Sequence, residues 1–203
     1  MKVKVCGITE AEDALICAHE GADAIGFVFV PESKRHIEPT KAALISSFIS
    51  PLVMKIGVFV NRPYREVNRI AEKVGLNAVQ LHGEESPEYI RDIKHPVIKS
   101  FRIKSGFDFG IIGRYSKCGI LLDSFSPDAF GGTGIQFDTN LVPSELRSSV
   151  IIAGGVSKEN VIEIAEKIKP AGIDLSSSLE LSPGRKDPVK VKEFFKIIRR
   201  IEC

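Results

Sequence analysis

The sequence lacks several features that would assign a protein to a class at once. No apolar run reaches the roughly 18 residues that a membrane-spanning helix needs, and Met1 leads directly into a strand-like segment rather than a signal peptide. The net charge is only +2, from 28 basic and 26 acidic residues, so bulk charge gives no attraction toward nucleic acids or lipid surfaces. We therefore expect a cytoplasmic protein that binds neither nucleic acid nor membrane.

Cysteine and histidine are also scarce, at four residues each. The cysteines lie at positions 6, 17, 118 and 203 and form no C-x-x-C pair, so neither a zinc site nor a disulfide framework is predicted. In a reducing compartment they would be free thiols. Hydrophobic residues make up 43% and charged residues 27% of the 203 positions, which excludes disorder and indicates one globular domain over residues 1–203.

Strand-like and helix-like patterns alternate along the whole chain. Apolar runs predict eight strands, at 2–6, 24–30, 54–60, 78–81, 97–103, 119–123, 150–153 and 172–175. Helical patterns follow them at 10–21, 40–50, 64–75, 86–93, 107–115, 138–146, 157–168 and 187–201, with a Gly/Pro/Ser-rich loop over 124–134. Strict alternation predicts parallel strands with helices outside, so the expected fold is α/β, a single-domain (β/α)8 TIM barrel.

An open, doubly wound sheet is the alternative architecture. Such a sheet has fewer strands, and its first turn favours the pattern G-x-G-x-x-G. The first turn here is Gly7-Ile8-Thr9, which lacks that pattern. The barrel is therefore the preferred interpretation.

In a barrel of this kind the active site lies at the carboxyl ends of the strands, so the polar residues found there are the candidates. Cys6 is either a buried apolar thiol or a catalytic base or nucleophile, and Asp123 is either a turn cap or a proton-transfer group. Arg35 could bind a substrate carboxylate through two parallel hydrogen bonds. His82 is either structural or a hydrogen-bond donor at the rim.

Two small-residue loops follow the seventh and eighth predicted strands. Gly154 and Gly155 precede a predicted helix that opens at Ser157, and Ser176 and Ser177 follow the last strand. A double glycine alone is most simply a tight turn, but barrels often bind phosphate with these two loops. Together the loops favour a phosphate site. The glycine-rich segment 131–134 is interpreted as a flexible loop that could close over a ligand.

Eight short motifs carry a resemblance to one family. They occur in order at residues 4–9 (KVCGIT), 26–29 (GFVF), 57–61 (GVFVN), 79–83 (VQLHG), 121–124 (LLDS), 131–134 (GGTG), 153–155 (AGG) and 174–177 (DLSS). From residue 2 to about residue 190 the sequence resembles the phosphoribosylanthranilate isomerases of tryptophan biosynthesis. The resemblance implies a (β/α)8 barrel without metal or organic cofactor. It also implies a small phosphorylated substrate, N-(5′-phosphoribosyl)anthranilate, which undergoes an Amadori rearrangement.

The resemblance further implies roles for the candidate residues. Cys6 would be the general base and Asp123 the general acid, while Arg35 would hold the anthranilate carboxylate. The phosphate would be bound at the two small-residue loops, by Gly154, Gly155, Ser176 and Ser177.

This chain departs from the family pattern at two positions. It has Ser178 where the family usually has glycine, which would disturb the phosphate loop if that position needs a positive φ. It also has Thr139 where the family usually has tryptophan, which removes an aromatic side chain near the sixth unit.

Two other functions remain open at this level. One is a related phosphate-binding barrel, such as a sugar-phosphate isomerase of histidine biosynthesis, although Cys6 stands where those enzymes have aspartate. The other is a non-catalytic barrel that binds a phosphorylated metabolite. The sequence leaves a monomer and a homodimer equally open.

Overall fold

The barrel prediction is confirmed by a computed structural model that describes residues 1–124 and 139–201. Eight parallel strands pair in chain order and close between the first and the eighth. They are β1 (Lys2–Val5), β2 (Ala24–Val28), β3 (Met54–Phe59), β4 (Ala78–Leu81), β5 (Val97–Ile103), β6 (Gly119–Ser124), β7 (Val150–Ile152) and β8 (Gly172–Leu175). β2 and β4 are buried at every residue, as expected for strands with helices outside and side chains within.

Six α-helices are present in the described part of the chain. They are α1 (Ala11–Glu20), α2 (Pro39–Phe48), α3 (Tyr64–Val74), α4 (Pro87–Ile90), α5 (Val161–Lys167) and α6 (Pro188–Ile201). The best-defined boundaries follow simple rules. Gly75 ends α3 in the left-handed conformation at φ 70°, and the Ser86 hydroxyl accepts a hydrogen bond from Tyr89 N at the start of α4. None of the described helices is long and apolar enough to cross a membrane.

The prediction of eight regular helices is wrong in the fifth and sixth units. Between β5 and β6 the chain forms a 3₁₀ helix, Phe109–Tyr115, whose first turn is held by the Asp108 carboxylate and whose interior contains two glycines. Between β6 and β7 the described residues form only short 3₁₀ turns, Thr139–Leu141 and Arg147–Ser149. Pro143 prevents the helix predicted there. The predicted 131–134 loop and the Thr139 side chain lie outside the described residues.

The structure adds a small antiparallel hairpin that the sequence patterns did not predict. Strands β9 (Glu180–Ser182) and β10 (Arg185–Lys186) flank a turn at Pro183-Gly184, where Gly184 has φ 83°. The Thr9 hydroxyl donates to Gly184 O at 2.6 Å and ties this turn to the end of β1. The hairpin therefore lies beside the carboxyl ends of β1 and β8, where the candidate site residues are.

Candidate active site

A cavity of about 550 Å³ opens at the carboxyl ends of the barrel strands. All eight side chains or glycines proposed from the sequence line it: Cys6, Arg35, His82, Asp123, Gly154, Gly155, Ser176 and Ser177. Its size is in the range of small-molecule sites. A smaller cavity of about 350 Å³ includes His36, Arg62 and Arg69 and contains none of those eight residues.

Cys6 lies directly after β1 and packs against Val28 and Val58 in a small apolar cluster. Gly26 on the neighbouring strand makes room for it, since a Cβ there would lie 2.7 Å from the Cys6 Sγ. Burial raises the pKa of the Cys6 thiol, and the ammonium group of Lys4 opposes that rise. The thiol is thus shielded from bulk water but has a cation beside it.

That cation belongs to a buried ion pair inside the barrel. Lys4 and Asp174 are paired in the β1–β8 register, and Lys4 Nζ lies 2.7 Å from Asp174 Oδ2. Burial is the largest single effect and would lower the pKa of Lys4, but the charges of Asp174 and Cys6 and the hydrogen bonds to them together outweigh it, so the pKa is raised and the ammonium stays charged. The pair places the Lys4 ammonium beside the thiol, where it lowers the thiol pKa more than the charge of Asp174 raises it.

Asp123 lies on β6, next to its carboxyl end, and faces His82 across the cavity floor. Asp123 Oδ2 and His82 Nε2 are 3.3 Å apart, at ion-pair distance but without the alignment of a hydrogen bond. On the other side of the ring, His82 Nδ1 lies 3.1 Å from Gln80 Nε2. With the amide assigned in that orientation, Gln80 donates to Nδ1, so the proton of a neutral ring is on Nε2 and faces Asp123.

The loop that carries His82 is fixed from below by a second buried ion pair. Lys99 Nζ lies 3.0 Å from Glu85 Oε2 and donates to the carbonyl oxygens of Leu81 and Gly83. Both side chains are almost completely buried. Lys99 within the apolar run of β5 was the available signal for this pair, but the sequence patterns did not join it to Glu85.

The double-glycine turn after β7 has the backbone geometry of an anion site. Gly154 and Gly155 have φ values of 82° and 62°, which L side chains rarely adopt. The predicted helix opening at Ser157 is wrong by four residues, because residues 158–160 form a turn and α5 begins at Val161. The backbone N–H groups of the glycine turn, rather than the start of a helix, are therefore the available anion donors.

Asn160 braces this turn and was missed by the sequence patterns. Its Oδ1 accepts from Ser157 N at 2.9 Å, and its Nδ2 donates to Gly155 O at 2.9 Å. After the neighbouring strand β8, Ser176 Oγ lies 3.3 Å from Cys6 O, and Ser177 begins a 3₁₀ turn over Ser177–Leu179. The structure therefore brings both small-residue loops to the same cavity.

Ser178 does not disturb this geometry through backbone strain. Among the described non-glycine residues, only Asn61 and Lys169 have a positive φ. The position that the family usually fills with glycine therefore does not require glycine here.

Gly154→Ala is expected to weaken both fold and activity. An added Cβ would lie 2.5 Å from Ser124 N and 2.6 Å from Asp123 Oδ1, and the left-handed backbone adds strain of about 1–3 kcal/mol. We expect a lower melting temperature, a loss of stabilisation by inorganic phosphate, and a drop in kcat/KM of roughly tenfold or more. Gly113→Ala is the control, since a Cβ there meets nothing within 4 Å. Equal behaviour of the two variants would contradict the geometry described.

Arg35 reaches the cavity over Gly7, where a Cβ would lie 2.5 Å from the Arg35 Cδ. Its Nε and Nη2 pair with both oxygens of Glu180, at 2.7–3.2 Å. Glu180 is in turn held by Lys186, which also donates to Cys6 O and Ser176 O. The hairpin residues Glu180 and Lys186 were missed by the sequence patterns, because their partners are distant in sequence.

A closed parallel barrel whose mouth collects a carboxyl group, a thiol, an arginine and a double-glycine turn defines an enzyme of the (β/α)8-barrel class. A family model described as N-(5'phosphoribosyl)anthranilate (PRA) isomerase matches residues 3–197. The chain belongs to the N-(5′-phosphoribosyl)anthranilate isomerase family. The resemblance drawn from the eight motifs is confirmed.

Similar proteins agree over nearly the full chain. The N-(5'-phosphoribosyl)anthranilate isomerase of Trichlorobacter lovleyi is 43% identical over 198 residues, which is 97% of each chain. The crystal structure of phosphoribosyl anthranilate isomerase from Thermotoga maritima has a TM-score of 0.91 at 40% identity, covering 98% of this chain and 99% of the other.

Two further solved structures bear on ligand and assembly. One is a phosphoribosyl anthranilate isomerase in complex with reduced 1-(o-carboxyphenylamino)-1-deoxyribulose 5-phosphate, with TM-score 0.86, 38% identity and coverage of 98% and 99%. The other shows monomers generated from the dimeric Thermotoga maritima enzyme, with TM-score 0.84, 36% identity and 98% coverage of both chains.

The reaction follows from the family. The enzyme is an isomerase of tryptophan biosynthesis that converts N-(5′-phosphoribosyl)anthranilate to 1-(2-carboxyphenylamino)-1-deoxyribulose 5-phosphate. The alternatives of a histidine-pathway isomerase and of a non-catalytic binder are set aside.

Proposed function

We propose that this isomerase works by general acid–base catalysis, with Asp123 as the acid and Cys6 as the base. The observation that carries the proposal is that the two groups line one cavity from strands that are not neighbours in the barrel. Such an arrangement suits a sugar ring held between them. An acid and a base can then act on different atoms of one substrate.

The proposed steps balance in protons and electrons. Asp123 gives its proton to the furanose ring oxygen, the C1′–O bond breaks, and the nitrogen lone pair forms a protonated Schiff base. The Cys6 thiolate then removes the proton from C2′, and those electrons form a C1′–C2′ double bond while the nitrogen becomes neutral. The resulting enolamine gains a proton at C1′ from the Cys6 thiol and gives up its C2′ hydroxyl proton to the Asp123 carboxylate, which forms the ketone and restores both groups.

The electrostatics of the barrel interior support this division of roles. The Lys4 ammonium beside Cys6 stabilises the thiolate that the second step needs, although burial still raises the pKa of that thiol. His82 faces Asp123 and, with Nε2 protonated, is placed to stabilise the carboxylate that remains after proton transfer. We propose His82 as a neighbour of the acid rather than a proton donor to substrate.

Two anionic groups of the substrate would bind at two sets of donors that line the cavity. We propose that the phosphate binds at Gly154, Gly155, Ser176 and Ser177, and that Arg35 binds the anthranilate carboxylate. The relative's complex with an analogue carrying both a phosphate and a carboxyl group supports two anion sites. The buried Oδ1 of Asp174 has no hydrogen-bond partner among the described residues and lines the cavity, where a substrate hydroxyl would satisfy it.

The test is turnover of freshly prepared substrate, followed by the loss of anthranilate fluorescence. Wild-type turnover that falls steeply in variants of either Asp123 or Cys6 supports the pair. Binding of the reduced analogue must persist in those variants, so that lost turnover reflects lost chemistry. Full turnover in either variant would overturn the proposal.

Arg35→Leu is expected to raise KM by roughly 10- to 100-fold with little change in kcat. A charge-assisted hydrogen bond contributes about 1.5–3 kcal/mol, and the carboxylate is equally charged in ground and transition states, so its loss affects binding uniformly. The fluorescence assay gives KM and kcat separately and so shows whether Arg35 acts on binding. Arg62→Leu, which removes an arginine outside the 550 Å³ cavity, is the control. A kcat effect without a KM effect would contradict this role.

A single catalytic domain over residues 1–203 and a location in the cytoplasm stay predictions. Sedimentation equilibrium is the measurement that distinguishes a monomer from a homodimer.

A further inference from the structure

A largely buried charge cluster beside the barrel mouth is made of Arg35 and the hairpin residues Glu180 and Lys186. The side chains of Glu180 and Lys186 are 4% and 1% exposed, and that of Arg35 is 15% exposed. Lys186 Nζ donates to Glu180 Oε1 at 2.9 Å, to Cys6 O at 2.8 Å and to Ser176 O at 3.1 Å. These three bonds use all three protons of the ammonium group. Lys186 is therefore a structural tie between the hairpin and the ends of β1 and β8.

Glu180 is held in place by Lys186 and the hairpin, independently of its contact with Arg35. It is paired with Lys186 in the β9–β10 register, and its Oε1 also accepts from Gly184 N at 3.3 Å. Its two oxygens then take the Nε and Nη2 edge of the Arg35 guanidinium. Burial would raise the pKa of Glu180, but Arg35 and Lys186 outweigh it, so the carboxylate stays charged.

The guanidinium offers a second edge after this pairing. Arginine has five N–H donors, and the side edge toward Glu180 leaves the outer edge of Nη1 and Nη2 as a second pair of parallel donors. Of the three side chains, that of Arg35 is the one that lines the cavity, so its outer edge is where a substrate carboxylate would be bound.

We propose that Glu180, anchored by Lys186, is the positioning residue for Arg35, and that it presents the outer guanidinium edge to the anthranilate carboxylate. The inference rests on the proposed role of Arg35. Arginine has a long side chain, and fixing it before the substrate arrives removes the entropy loss that binding would otherwise incur. Glu180 thereby sets recognition of the carboxylate without touching the substrate.

The experiment compares two ligands that differ only in that carboxylate. One is the reduced product analogue, and the other is the same molecule with an unsubstituted phenyl ring. Titration calorimetry gives the Kd of the phenyl ligand divided by the Kd of the carboxylate ligand. This ratio reports carboxylate recognition alone. We expect Glu180→Gln to reduce this ratio by roughly tenfold and to leave the Kd of the phenyl ligand within about threefold of wild type. Glu193→Gln, which removes an exposed carboxylate paired with Lys158, is the matched control.

A double-mutant cycle with Arg35→Met separates the possible failures. If Arg35→Met leaves the ratio unchanged, the proposed role of Arg35 fails. If Arg35→Met lowers the ratio to about one but Glu180→Gln preserves or increases it, Arg35 binds the carboxylate and the inference about Glu180 is wrong. If both single variants reduce the ratio and the double variant reduces it no further than Arg35→Met, Glu180 acts through Arg35.

A second measurement needs no change at Glu180 and so does not depend on that variant folding. The Nε–H signal of Arg35, assigned in a ¹⁵N spectrum by its loss in Arg35→Met, should be sharp and slow to exchange with solvent in the ligand-free protein. A signal that exchanges as fast as those of exposed arginines until ligand is added would overturn the inference.

Discussion

Asp123→Asn is expected to lower kcat by roughly 10³-fold, within the 10²- to 10⁴-fold contribution of a positioned proton-transfer group. Asparagine has the shape of aspartate and keeps a hydrogen-bonding oxygen, but its amide cannot give a proton to the ring oxygen. Binding of the reduced product analogue should change little, because the analogue has no ring to open. Single-turnover fluorescence loss measures the chemical step directly.

The environment of Asp123 makes the substitution informative. The residue is buried and faces His82 at 3.3 Å, so asparagine fills the same space and leaves no cavity. Asp108→Asn is a suitable control, since that carboxylate accepts a hydrogen bond from Gly110 N in the 3₁₀ helix after β5 and lies outside the cavity. If Asp123→Asn turned over within about tenfold of wild type, the acid would have to be another group.

The fold and the positions of the proposed acid and base at the barrel mouth were within reach of sequence reasoning for a local reason. Strands buried on both faces have short apolar sequences. A polar residue at the carboxyl end of such a run lies at the mouth of the barrel. Cys6 after KVKV and Asp123 after GILL are residues of this kind. Gly154 and Gly155 were candidates because barrels often bind phosphate at the loops after the seventh and eighth strands, and the structure adds that both residues have positive φ.

The rest of the site depends on contacts that local patterns do not contain. Glu180 meets Arg35 across 145 positions, and Lys186 meets Cys6 across 180. Strand register places Lys4 opposite Asp174, although each residue alone is only a charge in an apolar strand. The helices predicted for the fifth and sixth units are wrong for a local reason. Glycine and proline lie within the helical pattern there and disfavour a helix despite its periodicity.

Cys6→Ser removes the proposed base, whereas Cys6→Asp replaces it with a base of lower pKa, so the two variants should have different activities. Serine is not ionised at neutral pH, so kcat/KM should fall by at least about 10²-fold. Aspartate restores a base whose ordinary pKa is about 3.9, against about 8.5 for a thiol. The Lys4 ammonium beside position 6 favours the charged form of either group. We therefore expect partial activity for Cys6→Asp and almost none for Cys6→Ser.

The pH dependence of kcat/KM distinguishes a titrating base at position 6 from a residue that only supports the fold. A thiol is active only when deprotonated, and burial raises the pKa of Cys6, so wild-type kcat/KM should still be rising above neutral pH. In Cys6→Asp the base is already ionised there, so the acidic limb should move to lower pH by more than one unit. Cys118→Ser, at a half-buried thiol outside the cavity, should keep the wild-type limb. A limb that stays in place in Cys6→Asp would assign the base to another residue.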